Sequence, residues 1–163
     1  MIAVADADVL SMFGKAGGLK FLKRAFPDIS IPPEVYRELL RARDIGYDFV
    51  DAIIKEVKVL NLTENEFQEF EIALKNERYL QSGELQAVVI CKNRKGVLLS
   101  NDKKAGNYCN SKGIIYFDVK GILRAIYLKN IADEDDIKEI IRAIEERDNT
   151  RIKNAEEIFK QQE

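Results

Sequence analysis

Four acidic residues stand where a folded chain could gather negative charge. Asp6 closes the apolar run MIAVAD, Glu38 lies in PPEVYREL, Glu84 in SGELQAVVIC, and Asp102 closes a second apolar run, GVLLSND. Such a set suits metal-assisted hydrolysis of a phosphodiester, because clustered carboxylates hold a hard divalent cation and the reaction needs no covalent nucleophile. Two carboxylates ~5 Å apart repel by about 3 kcal/mol at an effective dielectric of 20, so a converged set must bind a cation or take up a proton. The sequence puts Asp6 and Asp102 at the carboxyl ends of strands and Glu38 and Glu84 in the first turns of helices. Those places crowd together at one edge of a parallel α/β sheet, where open sheets bind ligands.

Each acid also has a plainer reading. Asp6 suits a solvated turn, and Asp102, just before a helix, suits an ordinary N-cap. Glu84, in the first helical turn after Ser82 and Gly83, complements the helix dipole whatever else it does. Glu38 shares its helical phase with Val35 and Leu39, which sets a carboxylate beside an apolar face. Unpaired burial there is costly, so a cation or an Arg is implied.

The complete absence of histidine excludes much. A Ser-His-Asp triad, a His general base, a zinc deaminase centre and a two-His-one-carboxylate iron site are all impossible. Any metal must be held by oxygen, which favours Mg²⁺ or Mn²⁺. Cys91 and Cys109 lie in no CxxC or metal-ligand spacing and read as reduced thiols of an intracellular protein.

At 163 residues the chain is one domain of ordinary size that should bury roughly 70% of its unfolded surface, enough for a single core. No apolar run approaches the ~20 residues needed to span a bilayer, and MIAVADADVL is too short and too acidic for a signal peptide, so a soluble, cytoplasmic protein is expected. With net charge −2, no global field attracts a polyanion. Local patches would have to do so: Lys20, Lys23 and Arg24, or Arg41 and Arg43, or Lys103 and Lys104. The last two are preferred as phosphate contacts because they follow Asp102 directly.

To position these groups the chain alternates strand and helix from end to end, with no repeat, low-complexity tract or long linker, which is the pattern of an α/β fold. Short, nearly continuously apolar runs predict buried parallel strands near 1–6, 29–31, 57–61, 97–101 and 114–117. Helices are expected over 9–26 (split at Gly14 and at Gly17-Gly18), 33–45, about 47–55, 64–77, 83–95, 103–112 and 119–129. Pro32-Pro33 opens the third of these, Thr63 and Glu66 make a capping box, and Gly113 closes the helix after Asp102. Residues 133–163 continue as one or two amphipathic helices with Asp133 as N-cap, and Ile137, Ile140, Ile141, Ile144, Ile152, Ile158 and Phe159 recur at helical spacing. That stripe either packs on the parent domain or serves a dimer or an antitoxin-like partner.

These motifs resemble the PIN-domain nucleases. VADADVL resembles their opening acidic motif, PPEVYREL the second, GELQAVVIC the third and LLSND the fourth, over residues 1 to about 128. The chain is most similar to the VapC-like prokaryotic members, in which a Gly-Glu pair carries the third acid. The resemblance implies a three-layer sandwich with a five-stranded parallel sheet in a nuclease domain over 1–130, followed by a helical extension over 131–163. It also implies a Mg²⁺ or Mn²⁺ site on Asp6, Glu38, Glu84 and Asp102, endoribonuclease activity on RNA, a homodimer, and in many members a toxin–antitoxin pairing. In the mechanism it implies, Ser100 and Asn101 orient ligands or the attacking water. Three departures stand out: Asp8 where the family usually has Asn or Ser, Glu84 for the more frequent Asp, and Ser100 for the common Thr.

Two other functions fit part of the pattern. DADVL also resembles the first motif of haloacid-dehalogenase phosphatases, with Asp6 as nucleophile and Asp8 as general acid. That chemistry wants a Ser or Thr closing a later strand; the second strand ends in Ile31-Pro32, the third offers only Thr63, and Glu38 and Glu84 are left without a role. The other alternative is a catalytically silent PIN domain that serves as a binding module.

Overall fold

The computed structural model describes residues 1–160. The elements run β1 (Ala3–Ala5), α1 (Ala7–Lys15), α2 (Leu19–Ala25), β2 (Ile29–Ile31), α3 (Pro33–Asp44), α4 (Phe49–Glu56), β3 (Lys58–Val59), α5 (Glu64–Asn76) and α6 (Ser82–Arg94). Then follow β4 (Val97–Leu99), α7 (Lys103–Lys112), β5 (Tyr116–Phe117), α8 (Val119–Leu128), α9 (Glu134–Arg147) and a 3₁₀ turn at Ala155–Phe159. All five expected strands are present and all pair in parallel, in the order β3-β2-β1-β4-β5. β2 has its expected length and the other four are shorter than the apolar runs that announce them; β3 also corrects the expectation of burial, because Lys58 and Val59 are exposed on this edge strand.

Successive side chains of a strand face opposite sides of the sheet, and the core divides accordingly. Ala3 and Ala5 of β1 and Val97 and Leu99 of β4 join the core packed by α1, α2, α3, α4, α8 and α9. Val4 and Leu98 join the second core, built by α5, α6 and α7. The sheet is therefore covered on both faces, as the continuously apolar strands require.

The expected caps are in place. Pro33 is the first residue of α3, Thr63 and Glu66 form a reciprocal capping box on α5, and Gly113 ends α7 at φ 67°, a left-handed position that suits glycine. Asp133 caps α9 through Asp136 N. Gly14 corrects an expectation: it lies inside α1 and does not break it. A Cβ there would stand 3.1 Å from Ile53 and 3.2 Å from Phe49, so this glycine allows α4 to approach α1 closely. The break falls at Gly17, at φ 70°.

The tail packs on the same molecule. Ile137, Ile140, Ile141, Ile144, Ile152 and Ile158 are buried in the core that holds Val9 and Phe13 of α1. Lys15 pairs with Asp148 at 2.8 Å, and Arg147 donates to Lys15 O at 2.9 Å. Cys91 and Cys109 are free and buried in the second core, where burial pushes the thiols up to about 12 and about 11; they behave there as small apolar side chains.

Candidate functional site

The chain leaves β1 for β2 on one side and leaves β4 for β5 on the other. Adjacent parallel strands whose connections part in this way leave a crevice beyond their carboxyl ends. Asp6 follows β1 and Asp102 lies just beyond β4, so both stand at that crevice. Asp6 N donates to Leu99 O at 3.1 Å, tying the two strand ends together. Helices from opposite faces of the sheet close over it: α3 brings Glu38 and α6 brings Glu84.

Asp6, Asp8, Glu38 and Glu84 line one small cleft with Ala7, Val35 and Gln81. Its volume is about 20 Å³, room for one water molecule or one small cation and too little for a nucleotide. Asp102 stands on its far side, where its carboxylate neighbours that of Glu84. The structure thus brings all four expected acids together, and Asp8 joins them although it is exposed on the first turn of α1.

The plainer readings hold as well. Asp6 Oδ1 accepts from Val9 N at 2.8 Å and caps α1, while Asp102 Oδ1 accepts from Lys104 N at 2.7 Å and caps α7. Glu84 Oε2 accepts from Gln81 N at 3.0 Å within the capping box of α6. In each case a backbone N–H fixes the carboxylate, and Asp6 has the Ser100 hydroxyl as a second partner. Capping and ligation are compatible roles here, and the caps orient the groups.

Burial and like charge act together on the acids. Asp6 is 5% exposed, and desolvation pushes its carboxyl from an ordinary 3.8 to about 7, against the lowering effects of the Ser100 hydroxyl and Val9 N–H. Burial also raises Glu38, with Asp8 and Glu34 adding to the rise and Arg41 opposing it. Glu84 is raised by burial and then by Asp102 and Asp8, against the Gln81 N–H. The Asp8 charge contributes to all three.

Supporting residues hold this geometry. Ser100 is fully buried beside Asp6, and its Oγ accepts from Asp102 N at 3.2 Å, so it joins the two strand-end acids. The Asn101 amide oxygen accepts from Val119 N at 3.3 Å and helps start α8. Lys103 and Lys104 are exposed on the first turn of α7. Two supports were not foreseen. Gln86 Oε1 accepts from Glu34 N at 3.0 Å, supplying a partner at the start of α3, where Pro32 has no capping side chain. Gly83 is buried under Glu38, and a Cβ on it would stand 2.8 Å from Glu38 Oε1. A single Gln in the apolar run LQAVVIC was the sequence signal for the first; nothing local marked the second.

Among the described residues, no three Asp, Glu or Cys side chains are placed to hold a metal ion together as they stand. Mg²⁺ is usually bound through one or two carboxylates plus water, whereas a closed cage of protein ligands suits other ions. The donor set is hard oxygen throughout, and the cleft admits one ion.

A family model described as a PIN domain matches residues 2–160. The chain belongs to the PIN-domain family. PIN domains are generally nucleases, hydrolases that act on nucleic acid and typically use divalent metals. A search of curated proteins gave no match. Thr63, the residue a haloacid-dehalogenase reading would need, is engaged in the capping box of α5. Among the described residues, no helix is long and apolar enough to cross a membrane.

Proposed function

We propose that the chain is a Mg²⁺- or Mn²⁺-dependent endoribonuclease that hydrolyses RNA phosphodiester bonds, with Asp6, Glu38, Glu84 and Asp102 as its acidic set. The carrying observation is Asp6: a buried carboxyl pushed up to about 7 in a one-ion cleft shared with Asp8, Glu38 and Glu84. Buried like charges are unfavourable alone and favourable around a cation.

Asp6, Glu38, Glu84 and Asp102 would together hold the cation and its waters. When bound, the metal makes a coordinated water more acidic and offsets charge on the phosphoryl oxygens. Ser100 orients the Asp6 carboxylate through its hydroxyl and fixes Asp102 through the backbone. The neighbouring Asp102 and Glu84 carboxylates would accept a proton released on that side. Lys103 and Lys104, exposed next to Asp102, would meet phosphates of the strand there.

The VapC-like resemblance further supports a cytoplasmic toxin of a toxin–antitoxin pair, acting as a homodimer. We assign the nuclease body to 1–130 and a C-terminal extension to 131–163, of which 161–163 lie outside the described residues. Exposed Phe67, Ile72 and Leu74 on α5 and Tyr79 after it offer apolar area to a second copy or an antitoxin.

Asp102→Asn tests the assignment, because Asn and Asp cap comparably while only Asp carries the charge. Stability without metal should hold or rise slightly, and Mn²⁺-dependent RNA cleavage should fall by orders of magnitude. Full cleavage by the purified variant would leave Asp102 as a cap alone.

A further inference from the structure

A groove of about 350 Å³ opens beside the acidic cleft, on the Asp102 side. Lys103 forms one wall, Lys120 of α8 another, and Arg151 and Lys153 from the segment after α9 a third, with Tyr116 and Asp118 also lining it. Four cations converge here in a chain whose net charge is −2. Among the described residues Asp118 is the one acid on the wall, and it is engaged in capping Gly121 N at 2.7 Å. Lys120 is ion-paired with Glu157, whereas among the described residues Lys103, Arg151 and Lys153 make no ion pair.

The third wall is held before any ligand arrives. Ile152 is buried between its two basic neighbours, and its N–H donates to Glu145 Oε1 at 3.1 Å. Thr150 Oγ1 donates to Asp148 Oδ2 at 2.6 Å, and Asp148 is itself paired with Lys15. Charges presented by an ordered segment lose less conformational freedom on binding than charges on a loose tail.

We propose that Lys103, Lys120, Arg151 and Lys153 form a phosphate-gripping groove that holds the backbone of single-stranded RNA as it leaves the acidic cleft past Asp102. The ligand class rests on the nuclease reading above; the groove itself rests on the convergence of four cations, three of them without an ion pair among the described residues. Asn101 and Lys103 border Asp102 directly in the chain, so a strand in the groove is continuous with one at the cleft. Half-buried Tyr116 also lines the groove. The segment after α9 thereby acts as part of the substrate-binding surface in addition to completing the core.

The test is fluorescence anisotropy of a labelled oligouridylate with the full chain in Ca²⁺ across a salt series, beside cleavage of the same oligomer in Mn²⁺. Arg151→Glu/Lys153→Glu is compared with Lys95→Glu/Lys112→Glu, an equal charge change on exposed residues at the ends of α6 and α7, on the opposite edge of the sheet. All four side chains are exposed, so both variants should melt like the unaltered chain. The groove variant should bind at least an order of magnitude more weakly, with a log K against log salt slope shallower by about 1.4. The control should keep most of its affinity and its slope. Unchanged affinity and slope in the groove variant, equal loss in the control, or no measurable binding by the unaltered chain would each overturn the groove. Failure of the unaltered chain to cleave would count against the nuclease reading alone, since the binding measurement does not depend on cleavage.

Discussion

A Cβ on Gly83 would stand 2.8 Å from Glu38 Oε1, so the start of α6 and the acidic side of α3 fit together only because residue 83 has no side chain. Val35 would be met as well, at 3.1 Å. The atom that must give way first is the end of a flexible side chain, and that decides what a substitution does.

Gly83→Ala should displace the Glu38 carboxylate and leave the fold intact, with a stability loss of about 1 kcal/mol from the tightened Val35 contact. Metal response should suffer more than stability. In the unaltered chain Mn²⁺ should raise the melting temperature by mass action, and in Gly83→Ala that rise should shrink along with RNA cleavage. Thermal melts with and without Mn²⁺ check this; an undiminished rise would show that Glu38 is not needed for the ion.

Asp6 predicts how metal-free stability varies with pH. Its folded value, about 7, lies above its ordinary 3.8, so between those limits the folded state binds more protons than the unfolded state. Stability from this group must therefore fall as pH rises from about 4 to about 7, by about 4 kcal/mol in all, and the loss is complete above that range. Asp6→Asn should remove this slope and be the more stable chain at neutral pH without metal. Urea titrations at a series of pH values would show it, and parallel curves for the two chains would refute it. Cation binding must displace the proton, so cleavage should rise across the same window.

Ser100→Ala removes a hydroxyl that lowers Asp6 and accepts from Asp102 N. The acid limb of the activity profile should therefore move to higher pH. A purely structural role for Ser100 would reduce activity at every pH and leave the midpoint where it was.

Gln86→Leu should leave Glu34 N without its acceptor at the start of α3 and cost about 1–2 kcal/mol in urea denaturation. Glu38 lies one turn further along that helix, so the Mn²⁺-induced rise in melting temperature should also decline. Full metal response in a destabilised chain would separate α3 anchoring from the site.

The acids and the strands that carry them were legible because both obey local rules. Apolar runs of strand length end in Asp6 and near Asp102, and caps such as Thr63-Glu66 and Gly113 depend on residues a few positions apart. Gly14 was misread for the same reason: locally a glycine marks a break, and only the approach of Ile53 and Phe49 explains it. Gly83 under Glu38 and Gln86 at Glu34 N were hidden because they link separate helices. Arg151, Lys153 and Lys120 are remote from Lys103 in the chain, and only the fold brings them beside it.

The divergence of connections on either side of β1 and β4 has a kinetic meaning. The central strand is the first one made, yet its neighbour β4 comes only after α6, and Val4 pairs with Leu98 across most of the chain. Contacts so distant in sequence form late and make folding slow. No fragment that stops short of β4 can hold the full acidic set, and no single helix or hairpin anticipates it. A partly folded chain with nearly native helix content would carry no cleft, so appearance of the metal response is a stricter clock for completed folding than circular dichroism.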